Sequence, residues 1–194
     1  MAKSFKRSFK TPICELRWVN LQGVDTSINK DGSQNKKVAC GVVTGEVAEQ
    51  IAAQIEAIWQ EAKIEMGLKK NVANGNIIPK PIVDENGDMT GEYELRFKTN
   101  TYFADGKENK VPIYNAKGKE VDLGDRKIAN GSQGIIHGEI GYYDVSGQKG
   151  LTLYLKAIQI TKFIEYQVGV DAIDVSEQVS DGFEAFDNEI APAL

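Results

Sequence analysis

Pairs of turn residues divide this chain into short segments, and they constrain its fold more than any other feature. They occur as Asn-Gly at 74–75, 86–87 and 130–131, as Asp-Gly at 31–32 and 105–106, and as Ser-Gly at 146–147. Asn-Gly is a strong hairpin signal because both residues tolerate the positive φ angles of two-residue turns. Runs rich in β-branched and aromatic residues lie between the turns, so the chain is predicted to be mainly β.

Five principal strands and one weaker strand follow from this pattern. The principal strands are predicted at 12–20, 36–44, 92–99, 134–144 and 150–164, and the weaker one at 111–123. Five such strands favour an OB-like antiparallel barrel within residues 1–166. Alternation in the third strand places Tyr93, Leu95 and Phe97 inward, and Arg96 and Lys98 on the outer surface.

The last strand changes its apolar phase part-way along. Leu151, Leu153 and Leu155 share one face, but beyond Ala157 the apolar positions pass to residues such as Ile158. A β-bulge near residues 156–157 would restore the inward face, and barrels use such bulges to curl long strands. The phase change therefore predicts a closed barrel instead of a flat sheet.

One long helix is predicted over residues 46–66, where apolar residues recur every three or four positions. Thr44 is the expected N-cap and Gly67 the expected C-cap. The apolar stripe is expected to cover one end of the barrel. A membrane-surface or partner-binding role is the alternative, but the opposite face is acidic and Gln-rich where a membrane helix would be basic.

Charge is divided unevenly along the chain. The 23 basic and 28 acidic residues give a formal charge of −5, yet no Lys or Arg follows Lys162 and residues 163–194 contain eight acidic residues. Residues 1–162 therefore hold 23 basic and 20 acidic residues, a charge of +3. The sequence predicts a mildly basic domain followed by an acidic, disordered tail at 167–194, which has too few bulky apolar residues to fold alone.

Residues for catalysis or metal binding are scarce. His137 is the single histidine, Cys14 and Cys40 form no CxxC motif, and there is no phosphate-binding GxxxxGK[ST] motif. A hydrolase with clustered carboxylates is an alternative, but no carboxylate pair has convincing spacing. We therefore expect a non-enzymatic protein without metal or cofactor. The sequence also lacks a run of about 20 apolar residues and a signal-peptide pattern, so a cytoplasmic location without a membrane partner is expected.

Aromatic and basic residues interleave between residues 93 and 156, a pattern that suits single-stranded nucleic acid. Bases stack on aromatic rings, and Lys or Arg neutralises phosphates. Alternation leaves open whether Tyr142 or Tyr143 faces the ligand, and it places Trp18 in the core, in phase with Cys14 and Leu16. The predicted DNA-binding residues are Arg17, Arg96, Lys98, Tyr102, Tyr143, Tyr154 and Lys156.

Three segments carry a resemblance to a known family. They are LRFKTNT at 95–101, the stretch 122–144 that contains NGSQGIIHGEIGYYD, and GQKGLTLYLKAIQITKF at 147–163. Together with the acidic tail, they resemble the single-stranded DNA-binding proteins of tailed bacteriophages. The resemblance implies an OB-fold with a long helix. It also implies that the protein coats exposed DNA strands during phage DNA replication and recombination, in the host cytoplasm.

The uneven charge suggests that the tail competes with DNA for the basic groove, because an acidic segment tethered beside the groove has a high effective concentration there. The resemblance implies that the tail also contacts replication proteins such as DNA polymerase or helicase-primase. Tails in this family often end in an aromatic residue, whereas the nearest aromatic residue to Leu194 here is Phe186. A homodimer is left open, and the rival interpretation is a protein-interaction module whose barrel displays the tail. The predicted partner-binding residues are Asp181, Phe183, Glu184, Phe186, Asp187 and Glu189.

Overall fold

The computed structural model describes residues 4–21 and 36–166. The strands are β1 (Lys6–Lys10), β2 (Cys14–Asn20), β3 (Lys36–Thr44), β4 (Lys80–Val83), β5 (Met89–Asn100), β6 (Ile113–Tyr114), β7 (Ser132–Val145) and β8 (Gln148–Lys162), and the helix α1 spans Gly45–Met66. The five principal strands and the helix are confirmed. Strands β1 and β4 were not predicted, and β6 occupies a small part of the weaker segment 111–123. The predictions for the tail at 167–194 lie outside the described residues.

Strands β7, β2, β3, β5 and β8 form a closed barrel, because β7 also pairs with β8. This confirms the predicted five-stranded OB-like barrel. Neighbouring strands of the barrel are antiparallel, except that β5 and β8 run parallel and place Lys98 opposite Tyr154. Strand β1 pairs with β7, whereas β4 extends the sheet beside β5 and β6 lies along β8.

The bulge predicted in β8 is present at Lys156. His137 pairs with Ala157 and Gly138 pairs with Leu155, so Lys156 is the extra residue. Ile158 beyond the bulge is fully buried, like Leu151 before it. The long strand thus curls around the barrel while its apolar side chains stay in the core.

Helix α1 begins after Thr44, whose backbone is extended, and ends at Gly67 in the left-handed region with φ 69°. Both predicted cap positions are confirmed, but the side chain of Thr44 makes no capping hydrogen bond. The buried side of the helix includes Ile55 and Trp59, which join the same apolar core as the barrel strands. Among the described residues, no helix is long and apolar enough to cross a membrane.

The prediction that Trp18 lies in the core is wrong. Its side chain is 54% exposed and its φ is 48°. The β2–β3 register shifts between Arg17 and Asn20, so β2 contains one extra residue there. Strict alternation fails at such a bulge: Leu16 is buried and Val19 packs against the core, whereas Trp18 faces outward.

Candidate nucleic-acid interface

A cleft of about 420 Å³ opens on the outer surface of the barrel where β5 and β8 meet. It brings together four of the seven predicted DNA-binding residues, together with a further aromatic residue and a second lysine. The predicted residues are Lys98, Tyr102, Tyr143 and Tyr154, and the additional ones are Lys36 and Phe103. Aromatic rings and cations therefore converge in one depression, although they come from four separate segments of the chain.

Tyr102 and Phe103 reach the cleft from the turn that follows β5. The turn is closed by the backbone N–H of Phe103, which donates to the carbonyl of Lys107 at 2.8 Å, and by a β-bridge between Tyr102 and Glu108. Both aromatic side chains are exposed in spite of their size. Exposed rings on a hydrogen-bonded turn are available for stacking without a change in the fold.

The ring of Tyr154 packs against Gly141, which has no side chain. A Cβ atom at Gly141 would lie 2.5 Å from Cε2 of the Tyr154 ring, so the ring packs closely against bare backbone. Lys6 Nζ lies 6.0 Å from the centre of the same ring. The ring is thus fixed on the barrel surface while 36% of the residue remains exposed.

The structure resolves the choice between the two neighbouring tyrosines of β7. Tyr142 stacks on Trp59 of the helix, with ring centres 6.4 Å apart and planes inclined by 17°. Tyr143 lines the cleft. Its hydroxyl oxygen lies close to Gly150, and a Cβ atom placed on that glycine would be only 2.8 Å from this oxygen. Tyr143 is therefore the cleft residue, and Tyr142 supports the helix.

Basic side chains cluster at one side of the cleft. Burial lowers the pKa of Lys98, and the positive charges of Arg96 and Lys36 lower it further. Both lysines line the cleft, and Arg96 is exposed two residues away on β5. Because these like charges repel one another, an anionic phosphate bound among them would be favoured.

Lys156 lies beside the cleft and is engaged by a carboxylate. Its Nζ is 3.0 Å from Oε2 of Glu139, and Nζ of Lys6 is 3.9 Å from the same oxygen. Glu139 in turn pairs directly with Tyr154 across β7 and β8. A single acidic residue thus offsets part of the positive charge next to the Tyr154 ring.

Arg17 is not brought to the cleft. Its guanidinium donates two hydrogen bonds to Glu92, at 2.7 and 2.9 Å, and two to Glu15, at 2.6 and 3.2 Å. The hydrogen bonds to Glu92 are the main reason that the pKa of Arg17 is raised, followed by those to Glu15. With two carboxylates around it, Arg17 is a poor phosphate ligand in this arrangement.

Lys36 and Phe103 were missing from the residues predicted to bind DNA. Lys36 begins β3 and pairs with Asn100 at the end of β5, which places it at the cleft. Pairing the predicted strands 36–44 and 92–99 end to end would have suggested this position. Within residues 4–21 and 36–166, no group of three or more His, Cys, Asp or Glu side chains could hold a metal ion.

No family model and no curated protein sequence matches the chain. Solved structures do match. The single-stranded DNA-binding protein gp2.5 of bacteriophage T7 has a TM-score of 0.58 at 14% identity, over 97% of this chain and 100% of that one. The C-terminally truncated single-stranded DNA-binding protein of bacteriophage Enc34 has a TM-score of 0.54 at 13% identity, over 82% and 88%.

This chain has the fold of phage single-stranded DNA-binding proteins. A structure of the Enc34 protein in complex with single-stranded DNA also matches, with a TM-score of 0.53 at 11% identity over 84% of this chain and 89% of that one. The resemblance found in the sequence is therefore confirmed for the fold. At 11–14% identity, this likeness shows the fold.

Proposed function

We propose that this protein binds single-stranded DNA without sequence preference, in the cleft between β5 and β8. The observation that carries the proposal is the convergence of four exposed or half-exposed rings with Lys36 and Lys98. The fold supports it, because the matching phage proteins are described as single-stranded DNA-binding proteins and one was solved with single-stranded DNA.

Base stacking and phosphate neutralisation would both contribute to the binding affinity. Stacking of a base on an aromatic ring contributes about 1–3 kcal/mol, and the four rings are those of Tyr102, Phe103, Tyr143 and Tyr154. Phosphates would be neutralised by Lys36, Lys98 and the adjacent Arg96. Each neutralised phosphate of a single strand changes the slope of log K against log salt by about 0.7, so binding should weaken steeply as salt is added.

The side-chain amide of Asn109, which lines the cleft, is engaged within the protein. The amide nitrogen of Asn109 donates to Oγ1 of Thr99 at 2.8 Å and to the carbonyl of Asn100 at 3.0 Å. An amide used in this way cannot also donate to the edge of a base. Rings accept any base on their faces, which supports binding that does not depend on sequence.

The acidic tail would regulate this binding. Residues 163–194 carry eight acidic and no basic residues, and a tethered acidic segment has a high effective concentration near a basic cleft. It would compete with DNA at low salt and become available to replication proteins, such as a polymerase or helicase-primase, when DNA is bound. Asp181, Phe183 and Phe186 belong to the segment proposed for that contact. This regulation would suit phage DNA replication and recombination.

Fluorescence anisotropy of a dye-labelled oligo-dT tests the proposal. Removing the ring in Tyr102→Ala or Tyr154→Ala should weaken binding by about 1–3 kcal/mol each. Tyr166→Ala is the matched control, because Tyr166 is also exposed but lies beyond the far end of β8, where its N–H donates to Lys127. Absence of saturable binding at low salt would overturn the proposal and favour the protein-interaction module.

A further inference from the structure

Trp18 is a large apolar side chain held on the surface in an unfavourable backbone conformation. It is 54% exposed, and its φ of 48° lies in the left-handed region. Non-glycine residues rarely adopt that region, and their strain often accompanies a functional role. The backbone N–H of Trp18 donates to Oδ1 of Asn130 at 2.9 Å, a hydrogen bond that fixes this conformation.

The bulge in β2 turns Trp18 to the outside of the barrel. Asn20 pairs with Val38, Val38 pairs with Lys98, and Lys98 pairs with Tyr154, which together form one row across the strands. Trp18 lies next to the Asn20 end of this row. Along this row, across β3 and β5, three strand spacings of about 4.8 Å separate β2 from β8, or about 14 Å. At the 3.4 Å rise of a stacked strand, that distance corresponds to about four nucleotides.

Lys98 lies on this row between Tyr154 and the Asn20 end, beside which Trp18 lies. A DNA strand stacked on the Tyr154 ring would continue past the cation of Lys98 and the half-buried Val38 before it reaches β2. An indole ring that is 54% exposed offers surface on which a base can stack. The charge of the neighbouring Arg17 is offset by Glu15 and Glu92, so the contact available at Trp18 is stacking and not phosphate neutralisation.

We propose that Trp18 is a second stacking platform for single-stranded DNA, separated from the Tyr154 ring by Lys98 and reached by DNA strands that extend across β5 and β3. This inference rests on the proposed function of the cleft. It extends the binding surface from one depression to a path across the barrel. It also predicts that short oligonucleotides fill the cleft alone, whereas longer ones contact Trp18.

Tryptophan fluorescence tests the proposal, because the two tryptophans of the chain differ in exposure. Trp59 is 1% exposed and stacks on Tyr142, so Trp18 is the tryptophan that a ligand can reach. Tryptophan emission is followed during titration with dT3 and dT12, while anisotropy of dye-labelled versions of the same oligonucleotides reports binding independently. We expect quenching with dT12 but not with dT3, and no quenching in Trp18→Phe, where Trp59 is the remaining emitter.

Variants at position 18 separate binding from folding. Trp18→Gly removes the ring at a backbone conformation that glycine favours, so the folded state should be at least as stable. Its affinity for dT12 should fall between about five-fold and about 150-fold, the range expected for one lost stacking contact, with an unchanged salt slope. Trp18→Phe should retain much of the affinity. Ile13→Ala removes another exposed apolar side chain near the start of β2 and is the control.

The outcomes distinguish this inference from the function on which it rests. If anisotropy shows dT12 binding but Trp18→Gly binds as tightly as the wild type and emission is not quenched, the second platform is wrong while the cleft proposal stands. If dT12 gives no anisotropy change at low salt, both proposals are overturned. Quenching of equal size with dT3 and dT12 would overturn the proposed path, because the shorter strand should not reach Trp18.

Discussion

Lys98 lies directly opposite Tyr154 where β5 and β8 run parallel and close the barrel. One strand contributes a cation with a lowered pKa, and the other contributes a ring fixed against Gly141. A nucleotide needs both groups, a cation for its phosphate and a ring for its base. The closure of the barrel therefore creates the point at which the proposed interface has its two components side by side.

Gly141→Ala should weaken DNA binding through Tyr154. The new Cβ atom would lie 2.5 Å from the tyrosine ring, so the ring must move from its observed position. We expect oligo-dT affinity to fall, measured by anisotropy. In a Tyr154→Ala background the same glycine substitution should have little further effect, because residues that act through one contact are not additive. Equal effects of Gly141→Ala in both backgrounds would show that the glycine does not act through the ring.

Glu139→Gln should tighten DNA binding. The carboxylate of Glu139 contacts the amino groups of Lys156 and Lys6, at 3.0 and 3.9 Å. Its neutralisation leaves two cations available to phosphate and should make the salt slope steeper, by up to about 0.7 for each added phosphate contact. The measurement is the affinity for oligo-dT at several salt concentrations. Glu61→Gln is the control, since Glu61 pairs with Arg7 outside the cleft lining. Weaker binding by Glu139→Gln would contradict the prediction.

Deletion of residues 171–194 should tighten binding at low salt. The deleted segment carries seven of the eight acidic residues that follow Lys162, so its removal takes away the proposed competitor for the cleft. The gain should shrink as salt screens both interactions. Titration of full-length and truncated protein with oligo-dT checks this. Identical affinities at low salt would remove the tail from the mechanism.

The stability of the protein should decrease above about pH 9 because of Cys40. Burial, and then the charge of Glu94, raises the pKa of Cys40 from 9.0 to about 12. Between these two values the unfolded chain loses the thiol proton and the folded protein keeps it, so unfolding becomes easier as pH rises. The stabilising effect is fully present below pH 9 and is lost toward pH 12.

Chemical denaturation at a series of pH values between 7 and 11 measures this effect. Cys40→Ala should reduce the decrease in unfolding free energy at alkaline pH without abolishing it, because burial also raises the pKa of Cys14. Equal pH dependence in the wild type and in Cys40→Ala would show that Cys40 does not contribute.

The sequence predicts those parts of the fold that leave a periodic signal. The bulge at Lys156 was predictable because a long strand shows apolar residues on both sides of the phase change. The bulge at Trp18 was not, because β2 continues for only two residues beyond it and the change of phase is too short to see. Strand β1 has no periodic signal because it is mostly basic and polar and contains a single buried apolar residue, Phe9.

The candidate site was predictable one residue at a time, but its grouping was not. Alternation correctly placed Lys98 outward and allowed Tyr154 to be exposed. It could not show that Arg17 is bound by Glu92, which lies 75 positions along the chain. Such pairing depends on which strands become neighbours in the barrel, and that information appears only when the barrel closes.

The salt dependence of oligo-dT affinity in Lys98→Gln is the most direct test of stacking and charge in one cleft. Lys80→Gln removes the same charge from β4, outside the cleft lining, and serves as the matched control. We expect Lys98→Gln to bind more weakly at low salt with a slope shallower by about 0.7, and Lys80→Gln to keep the wild-type slope. Identical slopes for Lys98→Gln and the wild type would show that Lys98 does not neutralise a phosphate in the cleft.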